Sequence, residues 1–315
     1  MTSPGQLTVV LVSYNTKALL LRVLDRLLDS ESISVVVVDN SSNDGSAGAV
    51  AERFPSIDLI RNTENVGFAR AANQGMARAS TTYVALLNPD TDSTPALLDT
   101  MVAYLEENKD VWAIAPRLIG SDGKVQTMAA GFAPTPWRAL LYFLGVSYLL
   151  PWPSAGFSVS PRVRRPVDVD WLSGACLLVR REVIDRVGPL DGSFFMYGED
   201  MDWCRRMRAA GGRLVLLADH DLGHARAASS GHEVVSTDWL VGLARYVRPQ
   251  TSALGSRLFF LAAAAGFWLR GSRFVLPRHR LRRTTLWGYA GAAARIALEA
   301  QTSSTADPAP TGGRT

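Results

Sequence analysis

Cysteine is scarce in the 315-residue sequence, which contains only Cys176 and Cys204. Their spacing fits neither a zinc knuckle nor a redox pair, so no disulfide framework is implied and we expect free thiols in a reducing compartment. Long apolar runs are absent too. The longest, residues 258–269, is shorter than the roughly 20 residues that a membrane-spanning helix needs. The polar start MTSPGQ lacks the basic region of a signal peptide, which favours a cytoplasmic protein.

Acidic residues are absent from residues 239–298, where the chain carries ten arginines. Residues 1–238, by contrast, hold 22 lysines and arginines against 27 aspartates and glutamates. Such an excess of positive charge is attracted to anionic surfaces, by up to about 1 kcal/mol per basic residue near anionic lipid. Because Leu, Phe and Ala separate the arginines, we expect the partner to be a membrane surface and not a nucleic acid.

These differences predict three parts: a domain at residues 1–238, a basic helical region at 239–301 and a disordered tail at 302–315. The tail has no apolar anchors. The apolar run at 258–269 is flanked by arginines, as is typical of an amphipathic helix that lies in a membrane interface. The apolar stretch at 137–152 is interrupted by prolines and is interpreted as a substrate loop or a surface helix.

The first third of the chain alternates short runs of Val and Leu with amphipathic stretches. Apolar runs that end in polar residues are typical of buried parallel strands, and the stretches between them of helices. The order βαβαβαβ predicts an α/β fold with a doubly wound, mostly parallel sheet. Ligands of such sheets bind beyond the carboxyl ends of the strands. We expect the polar clusters SYN at 13–15, DNSS at 39–42 and NPDTD at 88–92 to meet there.

The turn after the first predicted strand, VSYNTK, contains no glycine. A dinucleotide-binding unit needs a glycine-rich turn there, so this absence argues against an NAD or FAD enzyme. Asp39 is a candidate to accept hydrogen bonds from a base or ribose, although aspartate at such a junction also forms Asx turns. Gly67 precedes a predicted helix whose start, with Arg70, suits a phosphate. A glycine turn with a solvated helix face is the alternative.

The segment NPDTD predicts a metal ligand. Carboxylates that leave the end of a buried strand favour a divalent ion that bridges two phosphates, and Asp90 is the candidate, with Asn88 beside it. The same turn is also suited to capping the helix that begins at Pro95.

Three carboxylates, Glu199, Asp200 and Asp202, open a predicted helix in YGEDMDWCRR, residues 197–206. The helix dipole alone favours acids at this position, by roughly 0.3 to 1 kcal/mol each. Asp202 also suits pairing with Arg205 or Arg206 one turn later. A functional interpretation therefore depends on the neighbouring motifs.

Several segments occur in the order seen in inverting family 2 glycosyltransferases: VVLVSYNTKALL, VVVDNSSNDGS, NVGFARAANQG, LLNPDTD, WLSGACLLVRREVIDRVGPLD, FFMYGEDMDWCRRMRAAG and LGHARAASSG. Over residues 7–231 the chain resembles the bacterial rhamnosyltransferase branch of that family. The resemblance does not extend to the basic C-terminal region. It implies a GT-A fold and the transfer of a sugar from a nucleotide-sugar donor.

The resemblance also implies site residues. Asp39 is expected to bind the nucleobase, and the rest of the nucleotide-sugar pocket is expected to comprise Ser13, Tyr14, Asn15, Asn65, Gly67, Arg70, Asn73 and Asn88. The family's metal-binding triplet falls on residues 88–90, so an asparagine replaces its first carboxylate. Asp90 and His224, which fits better than His220, are expected to bind Mg²⁺ or Mn²⁺. Asp200 matches the catalytic base, with Glu199 next to it, and the acceptor is expected to lie against Trp171, Ser173 and Gly174.

The sequence therefore predicts an inverting glycosyltransferase that moves L-rhamnose from dTDP-rhamnose to a lipid-linked or polysaccharide acceptor of the cell envelope, at the inner face of the plasma membrane. One alternative is another donor, a UDP-hexose or a UDP-galactofuranose-like sugar. The other is a non-catalytic, membrane-associated nucleotide-sugar binder, which would need neither Asp90 nor Asp200. Because a helix N-terminus favours the ionised form, Asp200 is expected to be a weak base that takes its proton late.

Overall fold

A computed structural model of the protein describes residues 6–30, 32–150, 152–225, 237–272 and 280–299. The predicted disordered tail at 302–315 and the start of the chain at residues 1–5 lie outside these ranges. The strands are β1 Leu7–Ser13, β2 Ile33–Asp39, β3 Asp58–Arg61, β4 Tyr83–Leu87, β5 Val111–Ile119, β6 Ala130–Gly131, β7 Val167–Val169, β8 Trp171–Leu172, β9 Cys176–Arg180 and β10 Arg213–Gly223. The helices are α1 Lys17–Leu27, α2 Ser46–Arg53, α3 Phe68–Arg78, α4 Pro95–Glu107, α5 Pro136–Phe143, α6 Arg181–Val187, α7 Glu199–Ala209, α8 Asp238–Val247, α9 Ala253–Ser272 and α10 Arg280–Glu299.

Eight strands form one central sheet in the order β3-β2-β1-β4-β9-β5-β10-β7. The strands β1 to β4 pair in parallel, and so do β5 and β10. The apolar side chains of β1, β2 and β4 are buried on both faces, as expected of parallel strands covered by helices, whereas those of the edge strand β3 are partly exposed. The prediction of a doubly wound, mostly parallel α/β sheet is confirmed.

Helix α3 lies close to the sheet because its inward face carries small residues. A Cβ atom added at Gly75 would collide with Val10 of β1 and approach Val38 of β2. Ala69 and Ala72 on the same side are fully buried. This close packing fixes the start of α3, and with it Gly67, at the carboxyl ends of β1 and β2.

Strand β9 enters the sheet between β4 and β5 and runs antiparallel to both. Its first residue, Cys176, therefore pairs with Leu87, the last residue of β4. Cys176 and Cys204 are buried free thiols, and burial raises the pKa of Cys176 to about 12. The antiparallel direction places the turn at residues 173–175 at the edge where β4 ends, next to the NPDTD segment.

The C-terminal helices pack on the rest of the protein. The ring of Phe143 in α5 lies 6.0 Å from that of Phe259 and 5.1 Å from that of Phe267, both in α9. The stretch interpreted as a loop or surface helix thus forms α5, which is half buried under α9. The division at residue 238 stays a prediction, because α9 and α10 contribute to the same apolar core as the sheet.

Helix α9 differs from the amphipathic helix predicted for residues 258–269. Its buried side carries Phe259, Phe260 and Phe267, yet its exposed side is apolar too. An amphipathic helix has one polar side, and α9 has none. One apolar side packs against α5 and α10, and the opposite apolar side is exposed. Among the helices that the structure describes, none is long and apolar enough to cross a membrane.

Candidate active site

The carboxyl ends of β1 and β2 carry a network of short polar contacts around Asp39. Asp39 is buried; its Oδ2 accepts a hydrogen bond from the Ser42 N–H at 3.1 Å. Its Oδ1 is buried and has no hydrogen-bond partner among the described residues. A buried carboxylate oxygen without a partner costs free energy, so Asp39 is suited to accept a hydrogen bond from a ligand.

Asn15 ties the two strand ends together. It has a left-handed backbone, with φ of 54°, its N–H donates to Ser42 Oγ at 3.0 Å, and its Oδ1 accepts from the Asn43 N–H at 2.8 Å. Tyr14 beside it is half buried. Roles for Tyr14 and Asn15 in nucleotide binding stay predictions.

Asn40, which the sequence analysis did not single out, connects this network to the Gly67 turn. Its Nδ2 donates to Asn65 Oδ1 at 2.8 Å, and its Oδ1 accepts from the Val66 N–H at 3.1 Å. The Gly67 N–H also donates to Asn65 Oδ1, at 3.0 Å. Asn65 thus shapes the turn with its carbonyl oxygen, and Asn40 is the side chain that holds it.

Two residues that were predicted to bind the nucleotide, Ser13 and Asn73, instead make contacts within the protein. Ser13 is fully buried, and its hydroxyl is paired with Thr16 Oγ1 at 3.0 Å, so it does not face the crevice. The Asn73 amide bonds the backbone of Leu190 in both directions, at 2.8 and 3.0 Å, and so anchors the loop before α7. Both predictions are corrected: these side chains support the site from within the fold.

Asp90 and His224 come together at the ends of β4 and β10. The His224 Nε2 atom lies 3.3 Å from Asp90 Oδ1 and 3.4 Å from Asn88 Nδ2. Both side chains of the pair are nearly buried. A carboxylate oxygen and an imidazole nitrogen facing each other form a donor set that suits a divalent ion. No cluster of three or more His, Cys, Asp or Glu side chains forms in the described part of the chain, so the pair is the full charged donor set there.

Gln126 sets the orientation of His224. The Gln126 Nε2 donates to the His224 carbonyl at 2.7 Å, which leaves Gln126 Oε1 to accept from His224 Nδ1–H at 2.9 Å. Because Nδ1 carries the proton, Nε2 presents its lone pair toward Asp90. No sequence pattern indicates this contact, since 98 residues separate the two side chains.

Asp92 fastens the two segments that carry this pair. Its Oδ1 accepts from the Gly223 N–H at 2.6 Å, and its own N–H donates to the Gly223 carbonyl at 3.0 Å. The helix α4 is capped by Thr94, whose Oγ1 accepts from the Leu97 N–H at 3.4 Å. Thr94, and not an aspartate of the NPDTD turn, therefore caps α4. Asp92 has a structural role, because it joins the turn to Gly223.

Asp200 is held by backbone donors at the start of α7. Its Oδ2 accepts from the Gly174 N–H at 2.8 Å and its Oδ1 from the Met201 N–H at 2.7 Å. Burial raises the pKa of Asp200, and these hydrogen bonds offset only part of the shift. Burial therefore opposes the expectation of a weak base, because desolvation outweighs the hydrogen bonds that Asp200 accepts from the backbone.

Glu199 is only 5% exposed, and its Oε2 has no hydrogen-bond partner in the described structure. Burial, with a smaller contribution from the charge of Asp200, raises the pKa of Glu199 to about 8. A side chain so enclosed does not reach an acceptor, which corrects its predicted place there. At neutral pH it keeps its proton, so the pair carries one negative charge at most.

Trp171 does not border the acceptor. It is 1% exposed, its ring lies 5.3 Å from that of Phe157, and its Nε1 donates to the Phe132 carbonyl at 3.2 Å. The aromatic face of Trp171 packs in the core and is not available to a sugar, so the prediction that Trp171 contacts the acceptor is wrong. Ser173 and Gly174, in contrast, lie in the turn beside Asp200, where the Gly174 N–H holds the Asp200 carboxylate.

A backbone hydrogen bond connects the segment that carries Asp90 with the turn that holds Asp200. The Asn88 N–H donates to the Ala175 carbonyl at 2.9 Å, and residue 175 follows the glycine that holds Asp200. Asp202 faces elsewhere and pairs with Arg205 at 2.7 Å and Arg206 at 2.9 Å, as predicted. The three carboxylates of α7 thus have three different environments.

The loop between α6 and α7 closes the side of the site that faces Gly67. The Phe68 N–H donates to the Phe195 carbonyl at 2.7 Å, and Arg70 Nε donates to the Gly192 carbonyl at 2.9 Å. Gly67 has φ of 84°, and a Cβ atom there would lie 2.6 Å from the Phe195 carbonyl oxygen. Glycine is therefore required at 67 by backbone contact, while phosphate binding by Arg70 stays a prediction.

Comparison with known sequences identifies a family. Residues 8–188 match the model of glycosyl transferase family 2. The chain is 30% identical over 247 residues to N-acetylglucosaminyl-diphospho-decaprenol L-rhamnosyltransferase of Mycobacterium tuberculosis, covering 73% of this chain and 79% of that protein. It is 26% identical over 216 residues to rhamnosyltransferase WbbL of Escherichia coli K12, covering 65% of this chain and 78% of that protein.

Solved structures share the fold. Mannosyltransferase PcManGT from Pyrobaculum calidifontis, in complex with GDP-Man and Mn²⁺, superposes with a TM-score of 0.54 at 19% identity, covering 94% of this chain and 89% of that one. GalNAc-T7 with UDP, GalNAc and Mn²⁺ superposes with a TM-score of 0.55 at 15% identity, covering 93% and 56%. Both similarities concern the path of the backbone.

Proposed function

Because this chain belongs to glycosyl transferase family 2 and is a glycosyltransferase of GT-A fold, we propose that it transfers L-rhamnose from dTDP-rhamnose, with inversion, to a lipid-linked acceptor of the cell envelope. One observation carries the proposal: the pair Asp90–His224 and the candidate base Asp200 lie on one edge of the sheet, joined through the contact of residues 88 and 175. The name of the mycobacterial relative supports both the sugar and the lipid diphosphate.

The donor nucleotide lies at the ends of β1 and β2 in this proposal. The buried Asp39 Oδ1 without a partner accepts a hydrogen bond from the base. The turn at Gly67, shaped by Asn65, offers backbone N–H groups at the start of α3, where an anion is favoured. Asn88 and Arg70 face the same donor.

A divalent ion fits the residues at the end of β4. Asp90 Oδ1 and His224 Nε2 would hold it, since they face each other and Gln126 fixes the required tautomer. Bound there, Mg²⁺ or Mn²⁺ would stabilise the negative charge that develops on the leaving diphosphate. Asn88, in place of a second carboxylate, keeps the negative charge of this donor set low.

Asp200 removes the proton from the acceptor hydroxyl. The hydroxyl attacks the anomeric carbon from the face opposite the diphosphate, so a single displacement inverts the configuration and no covalent enzyme intermediate forms. Burial raises the pKa of Asp200, which strengthens it as a base, and the Gly174 and Met201 N–H groups fix its direction. Protonated Glu199 adds no charge beside it.

The C-terminal helices bind the membrane surface in this proposal. The exposed side of α9 forms an apolar stripe of Leu254, Leu258, Leu261, Trp268 and Leu269, all at least 44% exposed. The acid-free, arginine-rich sequence around it supplies attraction to anionic lipid. In this proposal the stripe holds the enzyme against the inner face of the membrane, where it would meet a lipid-linked acceptor.

The catalytic proposal is tested with a donor panel. Purified protein is incubated with dTDP-rhamnose, UDP-glucose, UDP-galactofuranose and GDP-mannose, and nucleotide release is measured with and without Mg²⁺ or Mn²⁺. We expect release from dTDP-rhamnose alone, and only with metal. Preference for another donor would refute the rhamnose assignment, and release without metal would remove Asp90 and His224 from the mechanism.

The membrane proposal is tested by co-sedimentation with vesicles of phosphatidylglycerol and phosphatidylcholine. Removal of residues 239–315 is unsuitable, because Phe259 and Phe267 belong to the core. We expect Leu258→Ser combined with Trp268→Ser to reduce binding, and the exposed Leu149→Ser on another segment to leave it unchanged. Equal sedimentation of all three proteins would contradict the role of the stripe.

A further inference from the structure

A second exposed apolar surface lies next to the catalytic base. Phe195, Met196 and Tyr197 are 58%, 41% and 44% exposed and directly precede Gly198 and α7. The Phe195 ring lies against Gly67, and the exposed parts of these three adjacent large side chains form a surface patch of the kind that marks a contact site. Since Asp200 follows three residues later, this contact would be made by a molecule at the site of the reaction.

The backbone of this segment is held rigidly and against its preference. Tyr197 has φ of 68°, a left-handed conformation that is costly for a bulky residue. The Phe68 N–H holds Phe195 from one side, and the close approach of Gly198 and Gly242 holds Tyr197 from the other: a Cβ atom at residue 198 would lie 2.7 Å from the Gly242 carbonyl. The exposed side chains are therefore presented on a fixed support.

A cation lies beside the apolar segment. Arg245 of α8 donates from Nη1 to the Ser193 carbonyl at 2.6 Å, and its guanidinium lies 4.9 Å from the centre of the Phe194 ring. In the described part of the chain Arg245 forms no salt bridge within 4.0 Å, and its charge interacts with Asp191 at longer range. One turn earlier on α8, Val241 is exposed and extends the apolar surface.

From these observations we infer that Phe195, Met196, Tyr197, Val241 and Arg245, hereafter the acceptor shelf, bind the polyprenyl diphosphate part of the acceptor. Arg245 takes the diphosphate, and the apolar side chains take the first isoprene units. The inference rests on the proposed function and names the binding site for its substrate. The order of groups fits the substrate, in which a sugar with the reacting hydroxyl is followed by two phosphates and then an apolar chain.

The acceptor shelf is distinct from the stripe on α9. The stripe lies on one side of a helix that contains no proposed catalytic group, whereas residues 195–197 of the shelf directly precede α7, the helix that carries Asp200. The shelf is also small and combines a single cation with apolar side chains, which suits one amphipathic molecule. The bilayer itself is therefore assigned to the stripe and the lipid substrate to the shelf.

Kinetics with two acceptors test the inference. N-acetylglucosaminyl-diphospho-decaprenol is compared with a short analogue in which a methyl group replaces the whole prenyl chain, so that the diphosphate is kept and every isoprene unit is absent. For Phe195→Ser combined with Met196→Ser, we expect KM for the decaprenyl acceptor to rise about tenfold, with KM for the short analogue and kcat nearly unchanged. Arg245→Met should raise KM for both acceptors alike. The control Leu149→Ser should match the wild type.

Photocrosslinking gives a readout that does not depend on transfer. A prenyl diphosphate that carries a benzophenone in its first isoprene units is irradiated with the full-length protein, and labelled peptides are mapped by mass spectrometry. We expect labels at residues 193–197 that unlabelled polyprenyl diphosphate competes away. Labels confined to α9, or equal KM changes for the two acceptors in the variant that combines Phe195→Ser with Met196→Ser, would overturn the inference. Absence of transfer with competed labels on the shelf would instead contradict the proposed reaction alone.

Discussion

The two ends of the crevice hold their functional groups in different ways. Asp200 is bonded by two backbone N–H groups, from Gly174 and Met201. His224 is oriented by the Gln126 side chain and approached by Asn88 and Asp90. Backbone donors persist through most substitutions, whereas a side-chain contact is lost with its residue. We therefore expect the base end to tolerate changes around it and the Asp90 end to depend on its neighbours.

The largest expected effect is loss of the base itself. Asp200→Asn should lower the rate of transfer by about 10² to 10⁴, the range for removal of a general base, while dTDP binding stays unchanged. Initial rates and calorimetric titration of dTDP measure both. The matched control is Asp202→Asn in the same helical turn, which loses ion pairs to Arg205 and Arg206 but no catalytic group. Similar losses in both variants would refute the assignment of Asp200.

Glu199→Gln tests whether burial governs the base end. Glu199 has a folded pKa of about 8, above its usual 4.5, so the folded state retains a proton that the unfolded chain releases. Wild-type stability should fall relative to the variant as the pH rises from about 4.5 to 8, by on the order of a few kcal/mol, and then level off. Urea unfolding of both proteins across this range measures the difference. A constant difference would show that Glu199 is not desolvated.

Gln126→Ala tests the opposite end. Loss of a group that orients a metal-binding histidine typically weakens metal binding by about 10- to 100-fold. Mn²⁺ titration followed by electron paramagnetic resonance measures this without turnover. Gln126→Glu, which still accepts the Nδ1–H bond, should recover most of the affinity. If the alanine and glutamate variants bound equally, the tautomer argument would be wrong.

Gly174→Ala should have the smallest effect. The substitution keeps the N–H that holds Asp200, and its Cβ atom would lie 3.6 Å from Asp200 Cβ and Phe68 Cε1, which is ordinary contact. Activity should stay within a few-fold of the wild type. Gly174→Pro removes the donor and should lower the rate far more, provided that near-ultraviolet circular dichroism shows the fold intact. Equal rates for the two variants would exclude a role for this N–H.

The sheet was predictable where one apolar run meant one buried strand. A buried strand at Leu7–Ser13 and a closely packed α3 can both be predicted, because the apolar run and the small residues indicate burial by composition alone. The antiparallel direction of β9 was not predictable. An apolar run does not indicate in which direction a strand runs, and the partner strands of β9 are distant in sequence. The exposed apolar side of α9 also escaped prediction, because hydrophobicity alone does not say which side is covered.

The site was predictable where chemistry is local. Asp39, Asp90 and Asp200 follow from strand ends and a helix start, and the structure places each at one edge of the sheet. The prediction that Trp171 borders the acceptor failed because an aromatic side chain beside a polar turn is equally suited to bind a sugar or to pack in the core. In the structure Trp171 packs on Phe157. Gln126 and Asn40 were missed because their roles exist only between segments that the fold brings together.

The contact between Asp92 and Gly223 spans 131 residues of chain. Pairings of such long separation close large loops and form late in folding, after local helices and hairpins. On the ribosome, a nascent chain would complete the sheet ends of β1, β2 and β4 long before residue 224 emerged. Under the proposed function, the ion site at Asp90 would then be complete only after β10 had been synthesised, because His224 directly follows that strand.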